Sequence, residues 1–240
     1  AEDGIRDDLV TGVQTCALPI LTHTSLDVYN WVYEGDFQQD LKTETVDTIY
    51  SKIDSKYKFF KGEKGLYEKG FTIPMVIIEA YGGVILNQLD KLLTSEEISQ
   101  EDLVEFFDIF SKQLNLIKKS ITLVSKHSNP KFFYNELRPY LKGYDNVYFN
   151  TLNSHLNYRG GSAAQSAIIQ VFDIILGNSY KFTNENVPYY NKTHNEFMLE
   201  MREYMPNKHY EYLTYLEERD RKSTRLNSSH QIISYAVFCL

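Results

Sequence analysis

Between residues 103 and 124 an apolar side chain recurs mostly at three- and four-residue steps: Leu103, Phe106, Phe107, Phe110, Leu114, Ile117, Ile121 and Val124. That period gathers them on one face of an α-helix, whereas a strand would alternate its faces every two residues. Similar spacing runs through most of the chain. Residues 44–60 carry Val46, Ile49, Tyr50 and Ile53, and Gly62 and Gly65 read as a turn after them. Pro74, acceptable in a first helical turn, is expected to open an apolar helix through Leu93. Thr94-x-x-Glu97 and Ser99-x-x-Asp102 read as capping signals, the first matching the Thr-x-x-Glu box. Asn129-Pro130 starts a helix that ends at Gly143. Residues 144–161, rich in Asn and Tyr, read as an irregular loop. Ser162-x-x-Gln165 is a capping box opening the most apolar helix, which ends at Gly177. A polar loop over 178–192, a helix from about 193 to 204, and a last helix from Met205-Pro206 complete the chain. The expectation is one all-α domain.

The two ends stand apart. Residues 1–20 and 220–240 show neither a helical nor a strand period. Back-translated, the C-terminal segment yields the N-terminal one as its reverse complement, in frame: Ile20 (ATC) pairs with Asp220 (GAT), and Ala1 (GCA) with Cys239 (TGC). Paired positions sum to 240 throughout. The nucleotides resemble a ligated sequencing adapter read on both strands. Residues 1–20 and 220–240 are therefore expected to be translated scars flanking an incomplete 21–219. The source DNA must then carry this inverted repeat.

Of 240 residues, 25 are Lys or Arg and 32 Asp or Glu, a net charge of -7. That acidity argues against binding a phosphate backbone. No apolar run reaches the roughly 18 residues of a membrane span, the longest being interrupted at Glu79 or Gly82-Gly83. Neither a nucleic-acid nor a membrane partner is expected. No signal peptide is visible, which leads to a cytoplasmic expectation. The two cysteines, Cys16 and Cys239, both lie in the tails, so 21–219 offers no disulfide, thiolate zinc site or thiol nucleophile.

Several residues could carry chemistry. Gly160-Gly161-Ser162 ahead of an apolar helix would present N–H groups and a hydroxyl to an anionic or polarised oxygen. The plainer reading is a loop with an N-cap serine. Asp173, among Ile169, Phe172, Ile174 and Ile175, is either paired in the core or turned to solvent. Arg138 follows Phe133 and Tyr134 by about one turn, so ring and guanidinium can share a face and clamp an aromatic amino acid by its carboxylate. A solvated arginine fits the same spacing. Five histidines occur in 21–219, and on spacing alone His209 is as good an axial ligand as the others and no better.

Taken together, NPKFFYNELRPYLKG (129–143), GGSAAQSAIIQVFDIILG (160–177) and MREYMPNKHYEYL (201–213) resemble the indoleamine 2,3-dioxygenases, haem enzymes that open the indole ring of tryptophan. EKGF (68–71) with MVIIEA (75–80) is a weaker match upstream. The resemblance implies the family's all-α haem domain, haem b as cofactor, and His209 as proximal ligand of the iron. Gly161 and Ser162 would lie over the distal face. Phe71, Phe133, Tyr134, Arg138 and Leu141 match substrate-pocket positions, with Arg138 on the substrate carboxylate. Asp173 and Arg202 are placed around the proximal side or a haem propionate.

LTHTSLDVYNW (21–31) aligns with the family's distal helix, and His23 falls where the animal enzymes carry tyrosine. A distal imidazole there resembles the related tryptophan 2,3-dioxygenases, where it contacts the indole N–H. Met75 replaces a small polar pocket residue. The implied reaction adds O2 across the indole C2–C3 bond, giving N-formylkynurenine from tryptophan in the kynurenine pathway. An electron donor must keep the haem reduced. A non-catalytic haem sensor and an inert helical fragment are the alternatives.

Overall fold

The computed structural model describes residues 22–95, 97–150, 152–176 and 189–225. They are helical for the most part, in keeping with the all-α expectation. They fall into two compact units, one of Ser25–Gly160 and one of Thr22–Thr24 with the chain from Gly161 onward.

In the first unit a π-helical turn, Thr24–Val28, leads into β1 (Trp31–Tyr33), which pairs antiparallel with β2 (Ile53–Ser55), Tyr33 opposite Ile53. Between them lie α1 (Phe37–Thr43) and α2 (Val46–Lys52). Asp36 and Thr45 cap these helices by accepting the N–H groups of Gln39 and Thr48. Ile53 therefore leaves the helix expected over 44–60 and starts a strand. It is fully buried there, and one β-branched residue satisfies either element once tertiary contacts enclose it.

The unit is dominated by α3 (Gly62–Thr94) packed on α4 (Gln100–His127). Here the structure corrects the sequence reading. Gly62 and Gly65 lie in the first turns of α3, and Pro74 sits inside the helix instead of opening it. Proline removes one helical hydrogen bond and crowds the carbonyl four residues back. The helix continues because Ile73, Val76, Ile77 and Ile85 are buried, and that packing outweighs a local break. The 33-residue α3 is also long and apolar enough to cross a membrane, contrary to the expectation from uninterrupted runs. Half of its most apolar window is buried in this fold. Thr94 is the last residue of α3, its hydroxyl donating to the Asp90 carbonyl at 2.8 Å, so it caps nothing downstream. Ser99 and Asp102 do form the reciprocal capping box of α4.

Asn129 caps α5 (Pro130–Phe132), which continues as a π turn, Phe133–Leu137, and a 3₁₀ turn, Arg138–Leu141. The expected loop over 144–161 is instead a hairpin, β3 (Gly143–Phe149) with β4 (Ser154–Arg159). A register shift between Tyr144 and Val147, with Asn146 in a left-handed conformation, breaks the two-residue alternation of β3, whereas β4 alternates and Asn153 is left-handed in the turn before it. Tyr144, Phe149 and Tyr158 then pack edge to face.

In the second unit Ser162 caps a 3₁₀ turn, Ala163–Gln165, and not the apolar helix itself. That helix, α6 (Ala167–Ile175), starts after an extended Ser166. The predicted helix end at Gly177 lies outside the described residues. α7 (Tyr189–Arg202) begins four residues earlier than its spacing suggested, and α8 (Asn207–Arg225) follows Met205-Pro206 as expected. Its backbone runs six residues into the C-terminal tail, where no helical period was seen. Ile168, Val171, Met198, Met201, Leu213 and Leu216 form the core.

Candidate functional site

The first unit assembles an aromatic cleft. Phe71 on α3 and Phe133 on the π turn meet with ring centroids 4.6 Å apart, and Tyr134 packs edge to face on Phe133 at 5.6 Å. These rings and the Ile121, Val124 and Ser125 side of α4 line an open, mostly apolar cleft of about 490 Å³. Arg138 lies one turn beyond Tyr134, its guanidinium carbon 5.3 Å from the ring centroid, so the shared face read from the spacing is formed. The arginine is exposed, which suits a group that must reach a carboxylate. Leu141 is half-buried at the end of the 3₁₀ turn and does not line the cleft.

Two supports of this cleft, Glu68 and Gly70, were not singled out individually from the sequence. Glu68, 2 % exposed, accepts the N–H groups of Phe59 at 2.9 Å and Phe60 at 3.0 Å. Burial pushes its carboxyl above the usual carboxylate range, against the opposing pull of those two donors. The Phe60 ring so held packs on Phe132 and Tyr140, either side of the segment bearing Phe133 and Arg138. Gly70, next to Phe71, abuts the His127 carbonyl, and any Cβ there would strike that backbone. His127 in turn stacks on Tyr50 at 4.4 Å, and its burial holds the imidazole below its ordinary pKa. At Gly160 a Cβ would fall on the Leu141 carbonyl, so the base of the hairpin closes on the end of the arginine-bearing turn. Only direct backbone approach reveals that requirement, which the dipeptide Gly160-Gly161 signalled without explaining.

The second unit places His23 and Ser162 on one side chain. Gln165 accepts the His23 N–H at 2.8 Å and the Ser162 N–H at 3.4 Å. His23 is 5 % exposed. The Ser162 hydroxyl accepts the Ala164 N–H at 3.2 Å, which uses a lone pair and not its proton. Gly161 and Asp173 are half-buried.

Arg202 is held in the core of the second unit. It is 1 % exposed, its Nε donates to Gln170 at 2.6 Å, and its terminal nitrogens meet both oxygens of Glu217 at 3.0 and 2.6 Å. A guanidinium bound in that fork is a core element joining α6, α7 and α8. His209 sits in the first turn of α8, half-buried, its N–H on the Pro206 carbonyl and its helix face shared with buried Leu213 and Leu216. Among the described residues no three His, Cys, Asp or Glu side chains converge. Haem asks for one strong axial donor only, so a single imidazole at the edge of a core is a donor set that suits it.

The family model for indoleamine 2,3-dioxygenase matches residues 14–233. The chain belongs to the indoleamine 2,3-dioxygenase family. It is 28% identical to indoleamine 2,3-dioxygenase 2 of Mus musculus over 204 residues, covering 81% of this chain and 45% of the relative. To 6-hydroxytryptophan 2,3-dioxygenase of Fusarium equiseti it is 29% identical, over 83% of this chain and 46% of the relative. Indoleamine 2,3-dioxygenase of Saccharomyces cerevisiae is 25% identical over 91% of this chain and 50% of the relative. The chain thus spans about half the length of the curated relatives it matches.

Proposed function

We propose that this family member is a haem-dependent dioxygenase acting on tryptophan or a related indole. The observation that carries the reading is the cleft in which Phe71, Phe133 and Tyr134 offer stacking faces beside the Arg138 guanidinium. An indole is an aromatic plane carrying a weak N–H donor, and tryptophan adds a carboxylate. Offset or edge packing on the rings would hold the plane, and the guanidinium fork would fix the amino-acid end.

His23 and Ser162, in the second unit, are the polar residues that the family resemblance assigns to the reaction. The His23 imidazole would accept an indole N–H, and the Ser162 hydroxyl would donate its proton to substrate or dioxygen. Bound haem would supply the activation of O2 for insertion across the indole C2–C3 bond. His209 is the candidate axial imidazole, an assignment carried by the family resemblance. Asp173 and Arg202 remain candidates for its surroundings. The electron donor, the cytoplasmic setting and the reading of 1–20 and 220–240 as adapter scars belong to the same proposal.

Arg138→Ala tests the substrate half of the reading. Losing a charged hydrogen bond of roughly 1.5–3 kcal/mol weakens tryptophan binding about ten- to a hundredfold. Tryptophan titration of the haem-loaded protein measures this directly, and an unchanged KM removes Arg138 from the carboxylate.

A further inference from the structure

His23 and Ser162 are 139 residues apart in sequence, yet their backbone N–H groups point at one atom, the Gln165 side-chain oxygen. Gln165 is 1 % exposed. Only its oxygen can accept two N–H groups, so the amide orientation is set by chemistry, and its nitrogen faces the Met201 sulfur at 3.9 Å. Met201 is fully buried and precedes Arg202, which the Gln170 and Glu217 contacts hold in the core. Gln165 therefore stands between a rigid element and two segments that carry the polar residues of the proposed site.

We propose that Gln165 is a positioning residue that couples the His23 segment to the Ser162 loop, so that the two open and close together. The inference rests on the dioxygenase reading only for what the coupling serves. The coupling itself is a property of the hydrogen bonds. The capping-box role read from the sequence explains only the bond to Ser162. The bond to His23 is the shorter of the two and has no part in ending a helical turn. Two N–H groups sharing one acceptor, the His23 one buried and the Ser162 one partly so, also make the residue hard to replace, because removing the oxygen takes a bond from both donors at once. Glutamate keeps the acceptor and the length of the side chain. Methionine keeps the length and roughly the volume and loses both bonds.

Native-state amide hydrogen exchange on the full chain tests this without haem or turnover. In the unaltered protein the His23 and Ser162 amides are expected to share one opening equilibrium as mild denaturant is added. Gln165→Met is expected to cut protection at both by about tenfold while Val171 in α6 keeps its own, and Gln165→Glu to restore both. Independent opening of the two amides in the unaltered protein overturns the proposal even if neither variant folds. So does a loss confined to one of them in Gln165→Met. In the haem-loaded protein the same substitution is expected to lower kcat with KM for tryptophan held. A fall in KM-dependent binding alone contradicts a positioning role. Coupled exchange with no dioxygenase activity leaves the hinge standing and rejects the functional reading instead.

Discussion

Arg202→Met is expected to destabilise the protein by about 3–5 kcal/mol, the cost of leaving one member of a buried ion pair without its partner. The Arg202 and Glu217 side chains are 1% and 3% exposed, and their N–O distance is 2.6 Å. Methionine leaves the Glu217 carboxylate desolvated and also frees the Gln170 oxygen that the guanidinium held. Gln170, itself buried, would keep its donations to the Met198 and Ala164 carbonyls. Adding Glu217→Leu should recover most of the loss, since an apolar pair of similar volume removes the stranded charge. Urea midpoints of the two single variants and the double variant measure this as a cycle. A loss in the double variant equal to the sum of the two single losses would show that the pair is not coupled. The effect concerns α7 and α8, which carry no substrate contact in this account, so Arg138 binding behaviour should survive in whatever fraction stays folded.

Gly160→Ala is expected to lower the thermal midpoint and to reduce dioxygenase turnover on the order of hundredfold. A Cβ at this position coincides with the Leu141 carbonyl and crowds the Gly143 nitrogen at 2.7 Å. All three are backbone, and a backbone cannot turn aside as a side chain can, so the strain lies toward the upper end of the about 1–3 kcal/mol of overpacking. Relief requires the hairpin base to move away from the turn that ends at Leu141. That turn begins with Arg138, and Gly161 and Ser162 follow directly in the chain. A displacement near 1 Å at a site that depends on orientation costs about 10²-fold in rate. The control is Gly83→Ala, where a Cβ meets nothing within 4 Å and the helix should gain slightly. Equal behaviour of the two variants would deny Gly160 its role.

The helical character and most helix ends were legible because they rest on local signals. Asn129-Pro130 and Ser99 through Asp102 act within one turn of themselves, and the apolar face of α4 is a simple period. The misreadings share a different cause, which is that distant packing decided the outcome. Pro74 looks like a helix start until the burial of Ile73, Val76 and Ile77 is known. Ile53 looks helical until Tyr33 pairs with it. In the hairpin over Gly143–Arg159 a bulge and the left-handed Asn146 destroy the alternation of the first strand, and the short alternating second strand was read as part of the same polar loop.

At the site, the Tyr134–Arg138 face was legible because it is a one-turn relationship. Gln165 was legible only as a cap, since the segment bearing His23 lies 142 residues away. The Arg202 pairing was hidden for the complementary reason. Its partner Glu217 is a charged residue in a strongly polar helix, and nothing in the spacing marks it as buried.

Haem-dependent cleavage of an indole is tested most directly by loading the protein with haem, reducing it, and following N-formylkynurenine formation from tryptophan under air. A Soret band, turnover, and loss of both in His209→Ala are expected. Turnover with an unchanged Soret band in His209→Ala would move the axial ligand to another imidazole. A Soret band with no formylkynurenine from tryptophan or any other indole tried would contradict the claim itself.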